Sequence, residues 1–241
     1  MSDSQRKILA SGAAELGITL SEHQLDQFDG LTALLLEWNA KFNLTRITNP
    51  SEIAVKHYLD SLSLLAYAKM PARASLIDVG TGAGLPGLPL KIAVPEMKLA
   101  LLDSVKKKLL FAEEAAKELQ LGDVKTIHAR AEDAARDKSL REHFDFAVSR
   151  AVARLSVLAE LCIPFCKVGG KFVAYKGPES DEEIAETERA FRVLGGKLET
   201  VEKFTLPQSD SRRTLILVKK TRPTPGPYPR KAGTPAREPL I

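Results

Sequence analysis

Apolar residues in the first seventy positions recur three and four apart, which is the period of an α-helix. One series follows Ser21, a residue type suited to cap a helix, and consists of Leu25, Phe28, Leu31, Leu35 and Trp38. A second series follows the break at Asn49-Pro50-Ser51-Glu52 and consists of Val55, Leu59, Leu62 and Leu65. Met70-Pro71 ends the second helix. The pattern therefore predicts an N-terminal helical cap over residues 1–70.

From residue 71 onward the period changes, and short β-rich runs alternate with helix-length segments. The predicted strands are 75–80, 98–103, 123–128, 144–149, 170–176, 197–206 and 212–220. The predicted helices are 85–93, 105–120, 153–166 and 180–194. Alternation of this kind indicates right-handed crossovers and a parallel, doubly wound sheet. The short polar turn PQSDS joins the last two strands, so the final strand should return antiparallel.

These elements predict an α/β fold, with a mostly parallel seven-stranded sheet, an antiparallel last strand and an N-terminal helical extension. We expect three parts: the helical cap at 1–70, a main domain at 71–221 and an arm at 222–241. The arm, RPTPGPYPRKAGTPAREPLI, is rich in proline and carries interspersed Arg and Lys. Proline excludes helix or inner strand here, so we expect an extended arm or strap.

Composition narrows the class of protein. The chain has 241 residues, 44% of them hydrophobic, so it can bury one large core. Its start is polar where a secretory signal needs an apolar segment, and no later apolar run approaches a bilayer span, so we expect a cytoplasmic protein without a membrane partner. Cys162 and Cys166 are too few for a disulfide framework or a zinc site, and we interpret them as small buried thiols. The net charge of +4 favours a polyanionic partner only weakly.

The most distinctive stretch is LIDVGTGAGLPGLPL at 76–90, where a predicted strand ends in an acid and four glycines follow. A ligand of an open α/β sheet lies beyond the carboxyl ends of the strands, near the point where strand order reverses. Gly80, Gly82 and Gly84 permit positive φ and remove side chains that would block a flat ligand. The loop is therefore a candidate ligand site, with a plain strand-to-helix turn as the alternative.

Two kinds of cofactor are candidates for the ligand of this loop. The spacing of a dinucleotide site is matched by Gly82, Gly84 and Gly87, with Asp103 where a ribose-binding acid is expected. Against a nicotinamide cofactor, Asp78 directly precedes the loop, and Pro86 and Pro89 crowd the helix start that would hold a pyrophosphate. These features resemble the Rossmann-like S-adenosylmethionine-dependent methyltransferase fold, whose first motif is an acid-x-Gly-x-Gly-x-Gly loop.

The groups of S-adenosylmethionine suit these residues. Its ammonium, carboxylate and sulfonium can be satisfied by Asp78 and by the backbone N–H and C=O groups of the loop. Asp103, which ends KLALLD, can accept both ribose hydroxyls, with a helix cap as its alternative role. Ala131 and Glu132 follow the third strand and are expected to border the adenine.

The end of the fourth strand distinguishes methyl acceptors. Methylation of exocyclic amines usually goes with an Asn/Asp-Pro-Pro-aromatic motif there, and methylation of cytosine C5 needs a cysteine. Neither occurs in this sequence. Instead FDFAVS leads into Arg150-Ala151-Val152-Ala153-Arg154, which places two cations at the mouth of the site.

Several motifs in order resemble the RsmG family, once called glucose-inhibited division protein B. They are EWNAKFNLTRIT, KHYLDSL, DVGTGAGLPGLPL, LLDSVKKKLLF, ARAED, FDFAVSRA, AYKG and YPRKAGTP, and they run from about residue 25 to the C-terminus. The resemblance implies a methyltransferase that modifies N7 of one guanine in 16S ribosomal RNA of the small ribosomal subunit. It implies cofactor contacts at Gly80, Leu85, Ala131, Glu132 and Arg150. One departure is Ala83, where other members carry proline or serine, which should affect loop stiffness more than chemistry.

Residue reasoning and resemblance together give one candidate site. The cofactor-binding set is Asp78, Gly80, Gly82, Gly84, Leu85, Asp103, Ala131, Glu132 and Arg150. Guanine N7 carries an unprotonated lone pair, so it can attack the sulfonium methyl without a general base. We therefore assign Arg130 and Arg150 to positioning, since catalysis would come from proximity and orientation.

Cations follow several strands and are expected to converge on the carboxyl edge of the sheet. They are Lys106, Lys107, Lys108, Arg130, Arg150, Arg154 and Lys176. In an RNA helix N7 lies in a deep, narrow groove, so the base should be presented from a loop or flipped out while cations hold the phosphates. Solvated surface charge is the alternative for each of them.

Polar residues of the helical cap are interpreted as structural. His57 and Asp60 lie one helical turn apart and resemble a catalytic pair. Because the reaction needs no base, we prefer a buried histidine that ties the cap to the main domain. Trp38, Asn39 and Asn43 are predicted to serve packing and capping.

Competing functions remain open at this point. The leading hypothesis is a monomeric, metal-free enzyme that methylates 16S ribosomal RNA or the small subunit with S-adenosylmethionine. A small-molecule methyltransferase would have a deep apolar pocket and little dependence on salt, whereas a non-catalytic assembly factor would bind RNA and no cofactor. A nicotinamide oxidoreductase is the least favoured.

Overall fold

The computed structural model describes residues 2–150 and 153–241. Its helices are α1 (Asp3–Glu15), α2 (Glu22–Phe42), α3 (Pro50–Ile53), α4 (Asp60–Tyr67), α5 (Gly87–Ala93), α6 (Lys106–Glu118), α7 (Ala131–Ala134), α8 (Leu155–Cys162), α9 (Asp181–Leu194) and α10 (Thr234–Arg237). Its strands are β1 (Ser75–Val79), β2 (Lys98–Asp103), β3 (Val124–His128), β4 (Phe144–Ser149), β5 (Cys166–Lys176), β6 (Gly196–Thr205) and β7 (Arg212–Lys220). A π-helical segment, Ala54–Leu59, joins α3 to α4, and a 3₁₀ turn, Ile163–Phe165, follows α8.

The seven strands form one sheet in the order β3-β2-β1-β4-β5-β7-β6. β1 pairs in parallel with β2 on one side and with β4 on the other, and β7 runs antiparallel to both β5 and β6. The predicted α/β fold with an antiparallel last strand is therefore confirmed. Strand order reverses between β1 and β4, so a crevice opens at their carboxyl ends.

The sheet is covered on both faces because side chains alternate along each strand. Leu76 of β1 packs in one core with Phe28 and Tyr58 of the N-terminal helices, whereas its neighbour Ile77 packs in a second core with Leu158 of α8 and Phe191 of α9. The N-terminal helices thus cover one face, and α8 and α9 cover the other. Among the described helices, none is long and apolar enough to cross a membrane.

Two predicted boundaries differ from the structure for identifiable reasons. β5 begins at Cys166 and not at residue 170, because Cys166 already pairs with Phe144 of β4, before a bulge interrupts the pairing between Phe144 and Phe146. Gly170 fits this bulge, since a Cβ there would lie 2.7 Å from the carbonyl oxygen of Asp145. The helix predicted for 153–166 ends at Cys162, and Pro164, which cannot extend an α-helix, lies in the 3₁₀ turn that follows.

Both cysteines are buried free thiols, as predicted. Burial raises the pKa of the Cys166 thiol to about 12 and that of Cys162 well above its ordinary range. The thiolate is the reactive form, so both side chains serve as packing in the core beneath α8.

Candidate functional site

The glycine loop leaves β1 at the crevice and bends toward β2. The N–H groups of Gly80 and Thr81 both donate to the carbonyl of Leu102, at 2.8 and 3.0 Å. Gly80, Gly82 and Gly84 have φ of 73°, 58° and 73°, which explains why the sequence needs glycine here. A Cβ on Gly82 would meet nothing within 4 Å, so the backbone at this position faces open space.

Asp78 lies beneath the loop and organises it. Its Oδ2 accepts hydrogen bonds from the Thr81 hydroxyl at 2.6 Å and from the Gly87 N–H at 2.9 Å. Its Oδ1 is buried and has no hydrogen-bond partner among the described residues. Burial raises the pKa of this carboxyl to about 6. A buried carboxylate oxygen without a donor fits a site that receives a cationic or N–H group from outside.

Asp103 ends β2 and connects it to both neighbouring loops. Its Oδ2 accepts from the Gly82 N–H at 2.9 Å, and its Oδ1 accepts from the Val105 N–H at 2.8 Å, just before α6. Asp103 thus holds the chain just before α6, whose N-cap residue is Val105 and not Asp103. A carboxylate oxygen has two lone pairs, so each oxygen of Asp103 keeps one that could accept a ligand hydroxyl.

A cavity of about 240 Å³ lies at the crevice, and we call it the switch-point cavity. Its lining includes Val79, Leu102, Asp103, Ala131, Leu158 and Leu161, so its walls are mainly apolar. Of the predicted cofactor set it also brings together Gly80 and Glu132, and Arg130 lies at the same wall. The described lining does not contain the remaining predicted members, Asp78, Gly82, Gly84, Leu85 and Arg150.

The C-terminal arm reaches the wall of this cavity. Glu132, predicted to border a base, is buried and accepts the backbone N–H of Gly233 at 2.8 Å. Arg230 of the same arm pairs with Glu160 of α8, whose carboxylate is fully buried. The arm is thus a strap docked on α7 and α8. The Arg230–Glu160 pair was missed from the sequence, although a lone acid in the apolar helix LSVLAELC was a signal for it.

Arg150 points toward the helical cap. Its Nη1 donates to the carbonyl of Lys56 and to Oδ2 of Asp60, both at 3.1 Å, and its Nη2 lies 3.3 Å from Nδ1 of His57. Both Lys56 and His57 belong to the π-helical segment, a feature often found at functional sites.

His57 is a neutral connector. Burial and the nearby Arg150 cation lower the pKa of His57 to about 4. Nδ1 can then accept from Arg150 while Nε2 hydrogen-bonds with the Thr45 hydroxyl at 2.9 Å. The preferred interpretation of His57 as a tie between the cap and the main domain is therefore confirmed.

A second cavity, of about 480 Å³, adjoins the first, and we call it the cationic cavity. Its lining includes Arg150, Arg154, Lys176 and Tyr175. Ala153 lines both cavities, so they share a wall. Lys176 is held there by the carbonyl of Ala153 at 2.6 Å and by Glu183 at 3.0 Å, whereas Arg154 is exposed.

The predicted cations do not all gather at one point. Arg130 lines the switch-point cavity, and Arg150, Arg154 and Lys176 line the cationic cavity. Lys106, Lys107 and Lys108 lie in the first turn of α6, outside the described lining of both. Ala151 and Val152, which lie within the predicted cation-bearing segment, fall outside the described residues.

The predicted packing and capping residues of the cap have these roles. Trp38 packs its ring against Phe42 and Phe111, with ring centroids 5.5 and 5.9 Å away. Asn43 ends α2 in the left-handed conformation, and the side-chain oxygen of Asn39 accepts the Thr45 N–H at 2.8 Å. These contacts hold the segment that presents Thr45 to His57.

Comparison with known sequences gives one consistent result. Residues 24–215 match the family GidB, described as rRNA small subunit methyltransferase G. A relative from Alkaliphilus metalliredigens, named ribosomal RNA small subunit methyltransferase G, is 47% identical over 98% of each chain. Relatives with the same name from Acetivibrio thermocellus and Desulfitobacterium hafniense are 48% and 50% identical over 98% and 94% of this chain, and over 96% and 93% of theirs.

Solved structures resemble the sheet and its helices at low sequence identity. A 16S rRNA (adenine(1408)-N(1))-methyltransferase from Catenulisporales acidiphilia aligns with a TM-score of 0.52 at 14% identity, over 63% of this chain and 87% of that one. TrmN from Thermus thermophilus aligns with a TM-score of 0.52 at 16% identity, over 66% and 48%. At such identities the likeness shows the Rossmann-like methyltransferase fold and no more.

Proposed function

The chain belongs to the rRNA small subunit methyltransferase G family, and we propose that its two adjoining cavities transfer a methyl group from S-adenosylmethionine to N7 of one guanine in 16S ribosomal RNA. The protein is an S-adenosylmethionine-dependent methyltransferase of ribosomal RNA by its family. The acceptor atom and the residues that serve it are the finer part of the proposal.

One observation carries this assignment: the apolar switch-point cavity and the cationic cavity share a wall at Ala153. A methyl donor and an RNA nucleotide need different surroundings, one apolar and closely fitted, the other open and positive. Here the two environments meet at the carboxyl ends of β1, β4 and β5, where an open α/β sheet binds its ligands.

The switch-point cavity has the residues to hold S-adenosylmethionine, which supplies the methyl group on a sulfonium. Asp103 offers its remaining lone pairs to the ribose hydroxyls, and Ala131 with the strap-held Glu132 borders the base. The buried Oδ1 of Asp78, without a partner in the described part of the chain, supports a polar or cationic group beside the glycine loop. Of the glycine loop, Gly80 lines the cavity, and Gly82, Gly84 and Leu85, which lie outside its described lining, complete the proposed set as the turn that holds Asp103 and Asp78 in place.

The titratable groups in and behind the cationic cavity suit an acceptor that needs no deprotonation: Tyr175 lines the cavity, and His57 lies behind Arg150. His57 has a pKa near 4 but both ring nitrogens are engaged, by Arg150 and by Thr45. Tyr175 has a pKa well above its ordinary range because it is buried, and its hydroxyl donates to the carbonyl of Ser61. These groups hold the site in place, and guanine N7 needs none of them as a base.

Cations then position the RNA. Arg154 is exposed at the cationic cavity and can contact phosphates, and Arg130 lines the first cavity. Lys176 lies beside Arg154 but is held by Glu183 and Ala153, so we propose that it adds positive charge to this wall. Lys106, Lys107 and Lys108 extend the positive surface along the first turn of α6. Arg150, fixed by Asp60 and His57, orients the acceptor at the boundary. We assign Arg130 and Arg150 to positioning.

The same proposal covers organisation and setting. We propose that the cap (1–70), the methyltransferase domain (71–221) and the strap (222–241) act together as a monomer. The cap places His57 and Asp60 on Arg150, and the strap supports α7 and α8. A ribosomal RNA substrate supports a cytoplasmic location, which is part of the proposal.

Incubation with methyl-labelled S-adenosylmethionine tests the reaction. Small ribosomal subunits that lack the modification and naked 16S ribosomal RNA are offered in parallel, with large-subunit RNA as the control. We expect label in small-subunit RNA alone. Label in neither, with cofactor binding measured separately by calorimetry, would point to a small-molecule acceptor, and failure to bind the cofactor would point to a non-catalytic assembly factor.

A further inference from the structure

A third cavity lies on the carboxyl edge of the sheet beyond the two described above. It measures about 440 Å³ and is formed where β6 ends and β7 begins, and we call it the hairpin groove. Its lining includes Lys203, Phe204, Thr205, Arg212, Arg213 and Thr214. β7 lies next to β5, whose end carries Lys176 of the cationic cavity. The groove therefore continues the line of the two functional cavities.

Three neighbouring strands place a polar row at this edge. Thr214 of β7 is in register with Lys176 of β5 on one side and with Lys203 of β6 on the other. Residues in register on adjacent strands project from the same face, about 5 Å apart. The hydroxyl of Thr214 is buried and finds no hydrogen-bond partner within residues 2–150 and 153–241. Such a group is costly unless a partner arrives from outside.

Both lysines of this row pair with acidic side chains, but Lys203 is readily available to bind a phosphate. Lys176 pairs with Glu183, and both of these side chains are largely shielded. Lys203 pairs with Asp181 at 2.6 Å, but about half of the lysine side chain and 72% of the aspartate are exposed. An exposed pair contributes little stability, so Lys203 can exchange Asp181 for a phosphate at low cost.

The opposite side of the groove carries two arginines. Arg212 is exposed, and no carboxylate of the described residues lies within salt-bridge distance of it. Arg213 donates from Nε to Oδ1 of Asp60 at 3.1 Å, and Oδ2 of Asp60 accepts from Arg150. One carboxylate therefore joins the hairpin groove to the residue that we assign to acceptor positioning.

We propose that the hairpin groove binds the phosphate backbone of the RNA segment that flanks the target nucleotide. The inference rests on the proposed function, and it adds Lys203, Arg212, Arg213 and Thr214 to the substrate-binding surface. Cations and hydroxyls are the groups that contact phosphate and sugar oxygens. The ring of Phe204, the aromatic residue in the lining, packs on Tyr67 with centroids 4.8 Å apart, whereas the charged and hydroxyl groups of the lining suit phosphate and sugar. The groove is thus suited to backbone contacts and not to base recognition.

The dependence of RNA affinity on salt tests this proposal. Binding of 16S ribosomal RNA is measured by filter retention over a series of salt concentrations for the wild type, Arg212→Ala and Lys219→Ala. Lys219 is an exposed cation at the opposite end of the same strand, so it controls for the loss of one charge. Removal of one phosphate contact should reduce the slope of log affinity against log salt by about 0.7 to 0.9 in Arg212→Ala. Lys219→Ala should keep the wild-type slope.

A second variant probes the buried hydroxyl. Thr214→Val preserves shape and removes the oxygen, so RNA affinity should fall several-fold while the thermal midpoint stays within about 1 °C or rises. Affinity for S-adenosylhomocysteine should not change in either groove variant. Equal slopes for Arg212→Ala and Lys219→Ala, with Thr214→Val at wild-type affinity, would overturn the groove proposal. The methylation assay on the wild type is independent, so its failure would instead overturn the proposed function.

Discussion

Arg230 of the strap holds the fully buried carboxylate of Glu160 on α8. The Nε and Nη2 atoms of Arg230 lie 3.0 and 2.7 Å from the two carboxylate oxygens, and its backbone N–H lies 2.7 Å from one of them. Leu161, which follows Glu160 in α8, lines the switch-point cavity. The strap therefore supports the wall behind the proposed cofactor.

Arg230→Met should destabilise the protein strongly, because it leaves Glu160 as an unpaired buried charge. A loss of about 3 to 5 kcal/mol in the free energy of unfolding is expected from removing one partner of a buried pair. Urea denaturation measures it, with the adjacent exposed Lys231→Ala as the control. Adding Glu160→Gln should restore part of the loss, and a cost below about 1 kcal/mol in Arg230→Met would contradict the importance of this pair.

Asp103→Ala should weaken the binding of the cofactor much more than the binding of RNA. Each hydrogen bond to a charged group contributes roughly 1.5 to 3 kcal/mol, so affinity for S-adenosylhomocysteine should fall about tenfold or more. Calorimetry measures that affinity, and filter retention measures RNA binding. Glu118→Ala, an exposed acid of α6, is the matched control. Equal losses of cofactor and RNA binding would mean that Asp103 does not belong to the cofactor site.

Arg150→Ala should lower the rate of methyl transfer roughly 100-fold or more, while the fold stays intact. Asp60 keeps Arg213 as a partner at 3.1 Å, so no buried carboxylate is left unpaired. The exposed Arg73→Ala is the control. Because the Arg150 cation lowers the pKa of His57, the midpoint of the His57 imidazole resonance should also rise in the variant. Wild-type turnover would remove Arg150 from the mechanism.

His57 and Asp78 should make opposite contributions to the pH dependence of the free energy of unfolding. The folded pKa of His57 is about 4, below its ordinary 6.5, so the unfolded chain binds more protons in this window and stability rises with pH. The folded pKa of Asp78 is about 6, above its ordinary 3.8, so its contribution falls as pH rises from about 4 to 6.

Replacing His57 should therefore remove its share of the pH dependence and leave that of Asp78. Relative to the wild type, His57→Gln should become less favoured as pH rises from about 4 to 6.5, by on the order of 2 kcal/mol. Urea denaturation at several pH values gives this difference. A difference that does not change with pH would show that His57 is not buried as a neutral group.

Regular elements and local signals were predictable from sequence, whereas long-range partners were not. Period changes located every strand of the sheet, and the acid–glycine pattern located Asp103 and the loop. The lone acid in LSVLAELC signals a buried partner for Glu160, but Arg230 is distant in sequence, so no local pattern identifies it as that partner. Arg212 and Arg213, which we propose to contact RNA, were not among the predicted cations for a topological reason. Cations were sought after strands, but an antiparallel β7 brings its first residues to the carboxyl edge. The π-helical segment and the bulge in β5 likewise leave no periodic signal.

The most direct measurement is the position and chemistry of the transferred methyl. Small ribosomal subunits that lack the modification are methylated by the purified protein, and their 16S ribosomal RNA is then reduced and cleaved at N7-methylguanine. We predict one cleavage site, present with the wild type and lost with Arg150→Ala. Transfer of a labelled methyl group from S-adenosylmethionine without cleavage would place the methyl on another atom. That result would contradict the proposed base-free reaction at guanine N7.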